Sequence, residues 1–138
     1  MADDTLSLVL FSGTDDKLQA AAVLTVGAAA MERKVNVFLQ YWALDAFRAD
    51  RIDADHGLAP EAGEVGRQAV HTLRAAGQAS WAETLRQAKE LGGIDIQACS
   101  LSMDLLQIDQ DDLDPLVDGV EGVTSFYLNA GEGQVVFI

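Results

Sequence analysis

The chain contains a single cysteine, Cys99, and its thiol is the side chain best suited to nucleophilic chemistry. It ends a short apolar run that starts at Ile94, and a helix-like stretch begins at Ser100. A cysteine at such a junction faces unpaired backbone N–H groups and the positive end of the helix dipole, which favour the nucleophilic thiolate. Cysteine is also often a small buried hydrophobe. The position therefore predicts either a reactive thiol or a structural one.

Two other predicted strand ends carry residues that would complete a site around this thiol. Ligands of open parallel sheets bind at the carboxyl ends of the strands. The residues at or just after these ends are Ser12, Gly13, Lys17, Tyr41, Trp42 and Ser100. If the strands are neighbours, Lys17 and the backbone N–H groups of Gly13 and Thr14 would stabilise negative charge. The two aromatic residues would wall off the pocket.

Other common site chemistries lack their motifs in this sequence. There is no Cys-x-x-Cys dithiol, no glycine-rich phosphate loop and no Gly-x-Ser-x-Gly nucleophile elbow. The two histidines, His56 and His71, match no zinc-binding spacing. We therefore expect neither a metal nor a cofactor.

Composition narrows the classes of partner. The net charge of −13 argues against nucleic acid, because binding to phosphates requires clustered Lys and Arg. No apolar run is long enough to span a bilayer, and the acidic N-terminus does not resemble a signal peptide. A single cysteine rules out a disulfide scaffold. The expected setting is the reducing cytoplasm, without a membrane partner.

Alternating strand and helix patterns along 138 residues predict one α/β domain with a mostly parallel sheet flanked by helices. Apolar runs predict strands at 5–11, 34–40, 94–99, 122–128 and 135–138. The main predicted helices cover 15–31, 80–91 and 100–106. The direction of the last strand stays open, because its link to 122–128 is short for a parallel crossover.

The middle of the chain has weaker patterns and predicts a loop or lid at about 43–78. Short helices are expected at 43–51 and 67–76, around an acidic segment, 52–66, that carries Gly57, Pro60 and Gly63. Ser80 and Glu83 fit a capping box, and Gly92-Gly93 a helix stop. A short acidic helix is expected at 111–117.

Several segments together resemble the DsrE/DsrF-like sulfurtransferase family, including the branch often labelled peroxiredoxin family. They are 11–17, 27–31, 37–44, 88–92 and 96–104, and the tail from 127 to 138 is also similar. The most specific of them is Cys-x-x-Ser-Met-Asp at 99–104. The resemblance covers nearly the whole chain.

The resemblance implies a Rossmann- or flavodoxin-like three-layer fold, a homo-oligomer, and a cysteine that carries sulfur as a persulfide. Cys99 matches the family's reactive cysteine, and Ser102 and Met103 would shape its surroundings. The middle region departs from the branch, because it is acidic and nearly free of methionine. Such a region would discourage anionic sulfur donors and favour a basic protein partner.

Two hypotheses of function follow, and a third is weaker. In the first, the chain is a cytoplasmic sulfur carrier or sulfurtransferase that exchanges sulfane sulfur with persulfide or sulfur-carrier proteins through Cys99. In the second, it is a non-catalytic module that binds a small ligand or a protein, and Cys99 only packs. Peroxide reduction is the weaker idea, because no resolving cysteine and no peroxidatic motif are present.

Overall fold

A five-stranded sheet forms the centre of the protein, in a computed structural model that describes residues 3–138. The strands are β1 (Leu6–Leu10), β2 (Val35–Leu39), β3 (Ile94–Cys99), β4 (Gly119–Glu121) and β5 (Gln134–Phe137). Their order is β4-β3-β2-β1-β5, and all four neighbouring pairs are parallel. Because the strands are parallel, the carboxyl ends of β1, β2 and β3 meet at one edge, as the sequence predicts.

Helices connect the strands. They are α1 (Asp15–Ala30), α2 (Tyr41–Ala46), α3 (Gly63–Ala75), α4 (Trp81–Glu90), α5 (Ser100–Leu106) and α6 (Val123–Ala130). Two single 3₁₀ turns lie at Pro60–Ala62 and Gln110–Asp112. Within residues 3–138, none of these helices combines the length and the apolar character needed to cross a membrane.

The two faces of the sheet pack against different partners, since alternate side chains of a strand point to opposite faces. One face carries Leu8, Val37 and Ile96, which pack with apolar residues of α1 and α4 in the main core. The other face carries Phe38 and Cys99, which pack with Phe126 of α6 in a smaller cluster. The predicted α/β arrangement with helices flanking a parallel sheet is confirmed.

The Ser80 cap and the glycine stop predicted around α4 are confirmed, whereas within residues 3–138 the Glu83 carboxylate does not accept the return hydrogen bond that a capping box requires. The Ser80 hydroxyl accepts a hydrogen bond from the Glu83 N–H at 3.2 Å, which satisfies one of the free donors of the first turn. After the helix, Gly92 and Gly93 adopt φ values of +83° and +77°. This left-handed conformation favours glycine and reverses the chain into β3.

The predicted strand at 122–128 is wrong, because these residues form most of α6. Phe126 and Ala130, four residues apart, bury one face of this helix against the sheet, whereas Val123 and Tyr127 stay exposed. The β-branched and aromatic residues favour a strand locally, but packing on the sheet overrides that preference. The strand of this region is β4, just before the helix.

This correction also settles the direction of the last strand. Since α6 connects β4 with β5, the connection has room for a crossover, and β5 lies parallel to β1.

The predicted helix at 111–117 is wrong, because this part of the chain forms only the 3₁₀ turn at Gln110–Asp112. There the carboxylate of Asp112 accepts from the Asp109 N–H, and that of Asp114 accepts from the Leu116 N–H. The Asp109–Asp112 pair forms a capping box at the start of the turn, whereas the bond from the Leu116 N–H to Asp114 competes with continuation of a helix.

The middle region contains two helices that start earlier than predicted, α2 at Tyr41 and α3 at Gly63. Between them, residues 47–59 have no regular helix or strand, yet Phe47, Ile52 and Ala59 are buried. In contrast, α3 buries none of its residues. The segment 47–59 is therefore part of the packed body, and α3 lies on its surface.

A buried carboxylate, Asp15, ties this middle region to the rest of the protein. Its oxygens accept hydrogen bonds from Trp81 Nε1 at 2.8 Å, Arg74 Nη2 at 2.7 Å and the His56 N–H at 3.0 Å. The Asp15 N–H in turn donates to the Gly57 carbonyl at 2.9 Å. One side chain thus connects α1, the irregular segment, α3 and α4.

Removing one donor from this network should destabilise the fold. Trp81→Phe keeps the aromatic packing but leaves one oxygen of Asp15 without its partner, which we expect to cost about 1.5–3 kcal/mol of unfolding free energy. Urea denaturation measures the effect. Trp42→Phe is the matched control, because Trp42 is 55% exposed, and we expect a change within about 0.5 kcal/mol. Equal losses in both variants would contradict the structural role of Asp15.

Candidate active site around Cys99

Cys99 lies at the carboxyl end of β3 and directly precedes α5. Its backbone is extended, with φ of −72° and ψ of 117°, and it occupies the N-cap position of the helix without making a side-chain cap. The predicted strand-to-helix junction is therefore confirmed. Only 5% of the residue is exposed, so the thiol is covered by its neighbours.

The covering residues are aromatic. Phe38 of β2 and Phe126 of α6 stack with ring centroids 5.0 Å apart and an angle of 19° between their planes, and both pack in one cluster with Cys99. The partly buried Val9 of β1 lies against the same cluster. The thiol thus has an apolar wall on the side of α6.

A carboxylate lies on the other side of Cys99, across the pairing of β3 with β4. Glu121 is its direct register partner, so both side chains lie on the face that α6 covers. The Glu121 carboxylate accepts a hydrogen bond from Asn129 Nδ2 of α6 at 3.1 Å. Burial raises the pKa of Glu121, and the nearby charge of Asp95 raises it further, against the lowering effect of the Asn129 hydrogen bond.

Sequence reasoning missed Glu121. It lies in a run of acidic residues that reads as solvated surface, next to a segment that was predicted as a strand. Glu121 ends the three-residue strand β4. A strand of this length cannot be recognised from the sequence alone, because its position becomes clear only from the strand that it pairs with.

The predicted strand-end residues Gly13 and Trp42 do meet. A Cβ atom added to Gly13 would lie 2.4 Å from the Trp42 carbonyl oxygen, so only glycine fits this approach. Ser12 is partly buried, and its hydroxyl lies 3.4 Å from that of Thr14. The ends of β1 and β2 are therefore in close contact, whereas the Trp42 side chain is 55% exposed.

Tyr41 connects the end of β2 with α5. Its φ of +44° is strained for a residue with a side chain. The Tyr41 N–H donates to the hydroxyl of the fully buried Ser102 at 3.1 Å, and its ring lies 4.9 Å from that of Phe11. The ring contact with Phe11 joins the ends of β1 and β2, and the hydrogen bond to Ser102 joins the end of β2 to α5.

The remaining predicted residues lie in different surroundings. Met103 is buried in the main core, on the side of α1 and α4, and Ser100 is exposed. Lys17 is exposed on α1, and its side chain makes no hydrogen bond or ion pair within residues 3–138. A role for Lys17 in stabilising negative charge at Cys99 stays a prediction.

A cavity of ≈ 570 Å³ lies elsewhere, between α1, residues 52–58, α3 and α4. Its lining does not include Cys99. Several of its carboxylates already bond within the protein: Asp15 as described, Asp16 with the Ala59 N–H, Asp53 with Arg86, and Asp55 with Gly57 and Arg74. The Gly57 N–H and the Arg74 charge also lower the pKa of Asp55. These carboxylates therefore hold the segments around the cavity together.

Across residues 3–138, no three His, Cys, Asp or Glu side chains form a cluster that would hold a metal ion.

The comparison with known families shows which family the chain belongs to. The model of the DsrE/DsrF/DrsH-like family matches residues 2–138, nearly the whole chain. The chain belongs to the DsrE/DsrF/DrsH-like family. This confirms the resemblance that the segments around Cys99 suggest.

Relatives of this DsrE/DsrF/DrsH-like protein are similar in length. The uncharacterized protein YrkE of Bacillus subtilis is 27% identical over 150 residues, covering 94% of this chain and 92% of YrkE. Among solved structures, the protein of unknown function MTH1491 from Methanobacterium thermoautotrophicum has a TM-score of 0.62 at 14% identity, covering 99% of this chain and 100% of MTH1491. YchN of E. coli has a TM-score of 0.56 at 15% identity, with 99% and 98% covered. The two structures confirm the fold.

The contact between Ser102 and Tyr41 yields a test of how the site is held. Ser102→Ala would leave the Tyr41 N–H without its partner in a strained conformation, and we expect a loss of about 1–3 kcal/mol in unfolding free energy. Ser100→Ala, on the exposed side of the same helix, should change stability by less than about 0.5 kcal/mol. Urea denaturation of both variants measures the difference. Matching transitions would show that the Ser102 hydroxyl does not support the site.

Proposed function

We propose that this protein is a cytoplasmic sulfur carrier that holds sulfane sulfur as a persulfide on Cys99 and passes it to an acceptor thiol. Membership of the DsrE/DsrF/DrsH-like family supports a sulfur-relay role. The observation that carries the proposal is the position of the single cysteine at the junction of β3 and α5, at the ligand-binding edge of the sheet.

In the proposed transfer, the thiolate of Cys99 attacks the outer sulfur of a donor persulfide. A new S–S bond forms on Cys99, the S–S bond of the donor breaks, and the donor leaves as a thiolate with the electron pair. The first-turn N–H groups of α5 point toward the cysteine end of the helix. In the second transfer, the acceptor thiolate attacks the outer sulfur of the Cys99 persulfide. The S–S bond to Cys99 breaks, and Cys99 leaves as a thiolate with the electron pair.

Access to the buried thiol requires a local opening, and α6 is the element that can provide it. This helix packs on the sheet through Phe126 and Ala130, and its other residues are exposed, so few of its side chains hold it in place. Asn129 holds the end of the helix by accepting from Asn36 through its carbonyl at 3.2 Å and by donating to Glu121. Movement of α6 would expose Cys99 to the donor.

The partners we propose are persulfide or sulfur-carrier proteins and further copies of this chain. The side of α6 and β5 exposes a group of large apolar residues, which is typical of an interaction surface. They are Val123, Tyr127, Leu128, Val135 and Phe137. With a net charge of −13, the protein favours a basic donor or acceptor over an anionic one and disfavours nucleic acid.

One alternative has its own support. The low exposure of Cys99 and the distinct cavity of ≈ 570 Å³ are also what a non-catalytic binding module would show, with Cys99 as a packing residue. In that case sulfur donors would leave the thiol unmodified, and Cys99→Ser would bind the same ligands as the wild type.

Mass spectrometry of the intact protein tests the proposal. After incubation with glutathione persulfide or polysulfide, we expect the wild type to gain the mass of about one sulfur atom, removable by a reductant, because a reactive thiolate accepts sulfane sulfur. Cys99→Ser should gain nothing. A folded wild type that takes up no sulfur and resists alkylation at Cys99 would overturn the carrier and favour the binding module.

A further inference from the structure

The cavity beside α3 is large enough for a small molecule. Its volume of ≈ 570 Å³ falls within the range of about 300–1,000 Å³ that is typical of small-molecule sites. The first turns of α1, the irregular segment 52–58, α3 and residues 78–83 all contribute to its lining. Residues distant in sequence thus meet in one concave site, and none of the residues placed around Cys99 belongs to it.

Large apolar side chains line part of this cavity. They are Ile52, Leu58, Val70, Leu73 and Trp81. Ile52 and Trp81 are buried, whereas Val70 and Leu73, three residues apart on α3, keep part of their surface exposed. Because α3 buries none of its residues, these two side chains border the cavity instead of a packed core. A ligand with an apolar body would remove this surface from water, which favours its binding.

The titratable side chains of the lining are mostly acidic. The five carboxylates belong to Asp15, Asp16, Asp53, Asp55 and Glu83. Within residues 3–138, no Lys, Arg or His side chain pairs with Asp16 or Glu83. Burial opposes the ionisation of Asp16, but hydrogen bonds from Thr14 and the Ala59 N–H lower its pKa, so it is charged at neutral pH. The lining therefore retains negative charge that a ligand can neutralise.

Arg74, the basic side chain of the lining, is already engaged by carboxylates. Its Nη2 lies 2.7 Å from an Asp15 oxygen, and its Nη1 lies 3.3 Å from an Asp55 oxygen. Asp53 is likewise paired with Arg86, which does not line the cavity. An anionic ligand would have to compete with two carboxylates for Arg74 and would face the remaining acids. Charge complementarity therefore favours a cation.

We propose that this cavity binds a small organic cation, an alkyl or aryl amine. Its apolar body would contact Trp81, Val70 and Leu73, and the carboxylates of Asp16 and Glu83 would attract its ammonium group. The size, the apolar lining and the unpaired carboxylates of the cavity support this class of ligand. The site does not depend on sulfur chemistry at Cys99, so the proposal goes beyond the proposed function and stands apart from it.

Three probes with the same phenyl body measure the effect of charge: benzylamine is cationic at neutral pH, benzyl alcohol is neutral and benzoate is anionic. In Trp42→Phe the remaining tryptophan is Trp81, whose fluorescence reports on the cavity that it lines. We expect benzylamine to saturate with a Kd about fivefold or more below that of benzyl alcohol, and benzoate not to saturate. Equal affinities for the three probes, or no saturation with benzylamine, would overturn the proposal.

Glu83→Gln, in the same Trp42→Phe background, tests the carboxylates. It should raise the Kd of benzylamine about threefold or more, because one negative charge of the lining is lost, and leave that of benzyl alcohol within about twofold. Glu90→Gln is the matched control, since Glu90 is exposed on the same helix outside the lining, and both values should stay unchanged. Equal losses of benzylamine affinity in the two variants would overturn the role of the cavity carboxylates.

Val70→Phe and Val65→Phe locate the binding. Val70 lines the cavity, whereas Val65 is 85% exposed on the same helix and lies outside the lining. The larger ring at position 70 should weaken benzylamine binding about tenfold or more by occupying the space of the ligand, and the ring at position 65 should not. Thermal unfolding checks the fold, and Ala54→Leu, which fills the cavity from the segment 52–58, replaces Val70→Phe if that variant does not fold. Wild-type affinity in a folded filling variant would overturn the site.

Cys99→Ser and the mass of the intact protein separate this site from the thiol. Since Cys99 does not line the cavity, a folded Cys99→Ser should bind benzylamine with the affinity of the wild type. A loss of binding in this variant would overturn a separate site. A wild type that binds benzylamine but takes up no sulfur from glutathione persulfide would support the cavity and overturn the proposed function. The opposite result would overturn the cavity and support the carrier.

Discussion

The parallel pairing of β3 between β2 and β4 is the constraint on which the site depends. Because side chains of paired residues share a face, the register of these three strands decides what lies beside Cys99. A slip of one residue would turn the thiol to the opposite face, into the main core. The alternation of Ile96 and Ala98 with Gln97 and Cys99 prevents such a slip, since it would bury polar side chains.

The two faces of the sheet have different physical tasks. The face toward α1 and α4 is apolar and buried along all three central strands, and it supplies most of the core. The face toward α6 mixes apolar residues with Ser7, Asn36, Asp95 and Glu121, and a single short helix covers it. The thiol on the second face is covered by Phe126 of this helix.

Acidic side chains serve two purposes in this protein. Around Asp15, carboxylates accept hydrogen bonds from Trp81, Arg74 and backbone N–H groups, and they hold the irregular middle region against α1. Around Cys99, the Glu121 carboxylate accepts a hydrogen bond from the neutral amide of Asn129, and Asp95 lies nearby. The first arrangement satisfies its charges and belongs to stability. The second leaves Glu121 partly buried beside Asp95, and both raise its pKa.

Local sequence patterns determined β1, α1, β2, α4, β3 and α5, because their apolar periods and their end signals are strong, as at Ser80 and Gly92. The same patterns place Cys99 at a strand-to-helix junction. Only the tertiary structure decided that 123–130 is a helix, since Phe126 and Ala130 bury a helical face that exists only against the sheet. It alone placed Glu121 beside Cys99, because a three-residue strand has too few residues for a period and its pairing joins positions more than twenty residues apart.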